Sequence, residues 1–124
     1  TAAPAPGSFG EIFTNRLNAG AESIVCINLS SELSATMESA QAGAQESGGD
    51  VRIVDSRSVS AGQGTIVLAA AHAAKNGASA DEIVSLILTC LREQGFMEHL
   101  TLLKILKRVV ELETQQPFSE VFYQ

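Results

Sequence analysis

"SIVCINLSSELSAT", residues 23–36, decides how this chain folds, because it passes from an apolar β-branched run into a turn of hydroxyl side chains. Residues 23–29, short and apolar between turn signals, read as a strand buried on both faces. Residues 32–47 then read as a helix with Leu33, Met37, Ala40 and Ala44 on one side, and "SGGD" breaks it. A turn between a parallel strand and a helix exposes N–H groups at the positive end of the helix dipole, where an anion is favoured. Ligands of open α/β sheets gather at this edge. Two readings of Ser30, Ser31, Ser34 and Thr36 follow. Either Ser30 or Ser31 caps the helix while Ser34 and Thr36 are solvated, or the turn is a seat for a carboxylate or phosphate.

Outward from this stretch the chain alternates in type. Before it, Pro4 and Pro6 hold the start extended or turning, and Phe9, Ile12, Phe13 and Leu17 then recur at helical spacing until Gly20 stops the helix. After it, "VRIVDSRS", residues 51–58, reads as a second strand. "SAGQG" reads as a tight turn into an Ala-rich helix, "TIVLAAAHAAKNG". Ser79 caps a further helix, with Glu82 three residues on completing a capping box. Strands alternating with helices predict an α/β layered domain with a mainly parallel sheet flanked by helices.

The whole chain sets the outer limits. Its 124 residues suit one small domain, and 45% hydrophobic against 18% charged residues is the balance of a globular protein. A net charge of −6 argues against nucleic acid, whose phosphates need clustered Lys and Arg. Neither an apolar run of membrane-span length nor a basic leader is visible, so a cytoplasmic location is the expectation. Cys26 and Cys90 lie in no metal or redox spacing and are expected to be buried, reduced thiols.

Catalysis finds little support in the sequence. A serine nucleophile needs a base, and the histidines are His72, in an Ala-rich helix, and His99. The chain contains no GxSxG elbow. No lysine follows the glycines of "SAGQGT" to neutralise phosphates, so a nucleotide loop is not indicated. Asp55, at the end of the second strand, is placed to fix a neighbouring loop or to orient a ligand hydroxyl.

Three motifs in order, "TAAPAPGSF", "INLSSELSATMESA" and "VRIVDSRSVSAGQG", resemble those of the DegV family of bacterial fatty-acid-binding proteins. The resemblance covers about residues 1–93. It implies a lipid-binding α/β domain of the DegV N-terminal type, incomplete because the family's first strand would precede Thr1. A second domain, which in the family adds an arginine and a histidine to the site, would follow.

The implied ligand is a long-chain fatty acid with its carboxylate held by hydroxyls and a helix N-terminus. The implied partner is the catalytic subunit of a fatty acid kinase, to which the acyl group is presented. The matching hydroxyls are Thr1, Ser30, Ser31 and Ser34. Glu32 stands where the family usually has glycine, and it is expected to point to solvent. No enzymatic activity, cofactor or metal is implied; the rival expectation is a remnant module that self-associates as a homo-oligomer without ligand.

Residues 94–124 do not resemble the family's continuation. Codons can be chosen for residues 93–124 so that the same bases, read two places on, give a family-like segment containing Leu-Lys-Lys-Gly-Gly-Arg-Ile. The tail is therefore expected to be that continuation in a shifted frame. Its apolar residues Leu100, Leu103, Ile105, Leu106 and Val109 would then favour self-association.

Overall fold

A computed structural model of the chain describes residues 3–93, with side chains through Arg92. Thr1, His99 and the tail from residue 94 lie outside the described residues. The chain divides into two compact units at Val59 and Ser60.

The first unit is α1 (Pro6–Asn18), β1 (Ile24–Asn28), α2 (Thr36–Ser47) and β2 (Val51–Asp55). Pro6 sits in the first turn of α1, where its missing N–H costs nothing. Phe13 is buried, and its ring lies 5.9 Å from that of Phe9. Ile12, expected on the same face, is 55% exposed; at 3.6 residues per turn it stands roughly 100° round from Phe13. Gly20, at φ 107°, turns the chain out of the helix.

β1 and β2 pair in parallel, from Ile24 opposite Val51 to Asn28 opposite Asp55, with α2 as the crossover. The fold is therefore α/β, a two-stranded parallel sheet flanked by helices. Four of the five residues of β1 are half-buried, so the strand is not enclosed on both faces as its apolar run predicts. A single partner strand with helices packed against it covers less of β1 than a wide sheet with two helix layers would.

α1 crosses α2 at Gly10 and Gly43, both buried. A Cβ on Gly43 would lie 2.7 Å from the Gly10 nitrogen, the Phe9 Cβ and the Pro6 carbonyl. That backbone approach is possible only without a side chain at 43. Gly48 ends α2 in the left-handed conformation at φ 70°, as the "SGGD" break requires.

The second unit contains α3 (Ala61–Lys75) and α4 (Ala80–Glu93). α3 buries Ile66, Ala69, Ala70 and Ala73, and α4 buries Ala80, Ile83, Ile87 and Cys90, each set on one helical face. The residues "AGQG", read as a turn, form the first turn of α3 instead. Ser60 makes the bend, at φ 55°, and releases the glycines to the helix. Ser79 and Glu82 form the expected capping box: the Glu82 N–H donates to Ser79 Oγ at 3.2 Å, and the Ser79 N–H to Glu82 Oε1 at 3.4 Å. No helix among the described residues is long and apolar enough to cross a membrane.

Candidate functional site

The site begins where the two parallel strands end. Because Asn28 is opposite Asp55, the turn leaving β1 and the loop leaving β2 emerge side by side. Two backbone bonds join them: the Ser56 N–H donates to the Asn28 carbonyl at 3.0 Å, and the Ser30 N–H to the Ser58 carbonyl at 2.8 Å. Asn28, Ser30 and Ser56 are buried here, each hydrogen-bonded as buried polar groups must be. Ser56 also closes its own loop, its Oγ accepting from the Ser58 N–H and donating to the Ser58 carbonyl, both at 3.2 Å.

α2 starts at Thr36, four residues later than the hydrophobic pattern predicts. Residues 30–33 make a turn instead, in which the Leu33 N–H donates to the Ser30 carbonyl at 3.0 Å and leaves Leu33 63% exposed. Neither Ser30 nor Ser31 is therefore the N-cap. Ala35 holds that position and makes no side-chain cap. Of the first-turn amides, that of Thr36 reaches Ser34 Oγ and that of Ser39 the Ala35 carbonyl. Those of Met37 and Glu38 have no acceptor among the described residues.

The hydroxyls are spent in three ways. Ser30 Oγ accepts from the Glu32 N–H at 3.4 Å. The Ser31 hydroxyl donates to Asp55 Oδ2 at 2.6 Å, while the Ser31 N–H donates to Oδ1 at 3.3 Å. Ser34 and Thr36 share one hydrogen bond of 2.7 Å between their hydroxyls. One bond uses one proton, so that pair keeps a second O–H for an outside acceptor.

Thr36, one of the four hydroxyls that the sequence left as either solvated or part of an anion seat, is paired with Ser34. The visible signal was the hydroxyl pair two residues apart, a spacing that favours local side-chain bonds at helix starts. Glu32 is exposed, as expected. The structure places Ser30, Ser31 and Ser34 in the segment between β1 and α2, whereas Thr1 lies outside the described residues.

Asp55 is the charged centre of this arrangement. It accepts the Arg57 N–H at 2.8 Å besides the two bonds from Ser31, and Arg57 takes a left-handed φ of 49°. Partial burial works to raise the carboxyl, but the bonds from Ser31 and Arg57 and the Arg57 charge outweigh it and hold the group below its ordinary range. Asp55 is therefore an anion at neutral pH and ties both loops together.

Cys26 is half-buried rather than buried, and burial pushes its thiol up, against a smaller opposing effect of Asn28. It stays protonated and unreactive at neutral pH. Cys90 is buried, and neither cysteine is in a disulfide. His72 is half-buried in α3, and its Nε2 has no hydrogen-bond partner among the described residues. The Ser31 hydroxyl is donated to an ionised carboxylate rather than to a neutral base, which is not how a serine nucleophile is activated. No cluster of metal-ligating side chains occurs among the described residues.

Comparison with known proteins matches residues 1–108 to the model of the DegV family, described as uncharacterised proteins; the match runs past the boundary expected at residue 93. A DegV domain-containing protein of Streptomyces coelicolor is 38% identical over 85 residues, 68% of this chain and 30% of that protein. One from Deinococcus radiodurans is 37% identical over 84 residues, again 68% of this chain and 30% of the relative. The solved structure described as fatty acid binding of a DegV family protein from Thermus thermophilus aligns with a TM-score of 0.70 at 30% identity. It covers 73% of this chain and 32% of that one. The chain thus spans about 30% of the length of the curated relatives it matches.

Proposed function

The chain belongs to the DegV family, and from that premise we propose that it binds a long-chain fatty acid whose carboxylate sits in the turn between β1 and α2. Ser30, Ser31 and Ser34 line the seat, Thr36 completes the hydroxyl set, and Thr1 joins it by resemblance. The observation that carries this reading is the uncapped start of α2. Its Met37 and Glu38 amides are unsatisfied among the described residues beside a hydroxyl pair with a proton to spare. Amides and hydroxyls converging at a helix N-terminus are what a carboxylate needs.

The structural relative described by fatty acid binding supports the ligand class. The role is binding, not catalysis: the acyl group would be held for a partner acyl kinase that phosphorylates its carboxylate.

A second reading rests on a separate observation. Ile12, Leu33, Val59, Val67, Leu68 and Leu88 are large apolar side chains exposed by 41% or more. Scattered exposure of this kind is ordinary. A contiguous patch would instead favour a self-associating module without ligand.

Native mass spectrometry of the purified chain, with extraction of anything bound, separates the two. A stoichiometric fatty acid that is lost in the Ser31→Ala, Ser34→Ala double variant is expected. A clean apo mass in an oligomer, unchanged on adding oleate, rejects the binding reading in favour of the module.

A further inference from the structure

Ser31 poses a conflict that the fatty-acid reading does not resolve. Its hydroxyl has one proton, and that proton is donated to Asp55 at 2.6 Å. A hydroxyl cannot donate to two acceptors at once, so a ligand carboxylate can use Ser31 only by taking it from Asp55. The Asp55 charge also repels a second anion brought to the same side chain.

We propose that Asp55 is a latch on the seat, holding Ser31 until a carboxylate displaces it and so setting the affinity for fatty acid. This rests on the fatty-acid reading of the same turn. Asp55 is thus a positioning residue that acts through Ser31.

Three features make such an exchange feasible. The loops remain joined without the Ser31 pair, because the bonds from Ser56 to Asn28 and from Ser30 to Ser58 are backbone to backbone. Asp55 keeps the Arg57 N–H at 2.8 Å and the nearby guanidinium as compensation when Ser31 leaves. Ser31 and Arg57 are both exposed, so the released groups meet water rather than an apolar interior.

The test is oleate binding, below its micellar concentration, to the full chain and to the Asp55→Asn, Ser31→Ala and double variants. The Asp55→Asn change keeps an acceptor for the Arg57 N–H, removes the charge and releases the Ser31 proton. Asp55→Asn is expected to bind about tenfold more tightly, the equivalent of one charge-assisted hydrogen bond. The gain should vanish in the Ser31→Ala background, which a merely structural role of Asp55 would not produce.

Should Asp55→Asn fail to fold, the carboxyl 13C resonance of Asp55 in the unaltered chain decides. It is expected to move when oleate binds. Unaltered binding or weaker binding by Asp55→Asn, or a carboxyl resonance that ignores bound oleate, overturns the latch while leaving the seat standing. Binding by Asp55→Asn alone supports a latch closed in the unaltered chain, whereas no binding by any folded chain rejects seat and latch together.

Discussion

The serine-led turns before α2 and α4 use the same side chains in opposite ways. Before α4, Ser79 and Glu82 bond each other's amides, so the helix start is closed. Before α2, Ser30, Ser31 and Glu32 precede the helix without capping it. Ala35 takes the cap position, and the hydroxyls bond to a turn amide, to Asp55 and to one another. A capping box spends its polar groups on the fold. An uncapped start keeps donors in hand for something else.

The largest effect is expected where α2 packs against α1. Gly43→Ala places a Cβ 2.7 Å from backbone and side-chain atoms of α1, and overpacking of this kind is expected to cost about 3 kcal/mol in urea unfolding. A loss below about 1 kcal/mol would show that α1 and α2 do not need the close approach at Gly43.

Next in size is Asp55→Ala, which removes the acceptor of three bonds. With the group half-buried and its bonds partly screened by solvent, about 1–2 kcal/mol is expected. Because the Asp55 carboxyl is held below its ordinary value of 3.8, its contribution is full above that pH. It is lost as pH falls further, through the lowered folded value. Stability of the unaltered chain, followed from neutral to strongly acidic pH, should therefore lose a component that Asp55→Ala lacks. Parallel curves would mean that Ser31 and Arg57 do not hold the carboxylate in solution.

Ser79→Ala sharpens the other side of the comparison. Losing a true N-cap is expected to cost about 1 kcal/mol in thermal or urea unfolding, and a negligible effect would make the two turns equally uncommitted. The smallest effect belongs to Glu32→Gln. The side chain is exposed, so stability should change by less than about 0.5 kcal/mol. Oleate should bind slightly more tightly as one nearby negative charge is removed, and weaker binding would show that Glu32 supports the turn.

The legible parts of the fold share a short range of interaction. Ser79 with Glu82 and Gly48 after Ser47 were readable because each is settled within a few residues. α2 was misjudged at its start because residues 32–35 have helical spacing, while the bonds of Ser30 and Ser34 favour a turn. "AGQG" was misjudged in the reverse direction, since its glycines fit a turn in sequence but the bend falls on Ser60. In the candidate site, Ser30, Ser31 and Ser34 were legible as a hydroxyl-rich strand exit. The bond between Ser31 and Asp55 was not, because those residues are far apart in the chain and meet only through strand register.

The sequence by itself determined that a strand, a hydroxyl turn and a helix recur with a second strand, and it carried the motifs of the DegV family, because periodicity and turn chemistry act locally. Only the tertiary structure decided which hydroxyls stay available. Pairing Asn28 with Asp55 sets a carboxylate beside Ser31, and a hydroxyl proton given to one acceptor is withheld from every other.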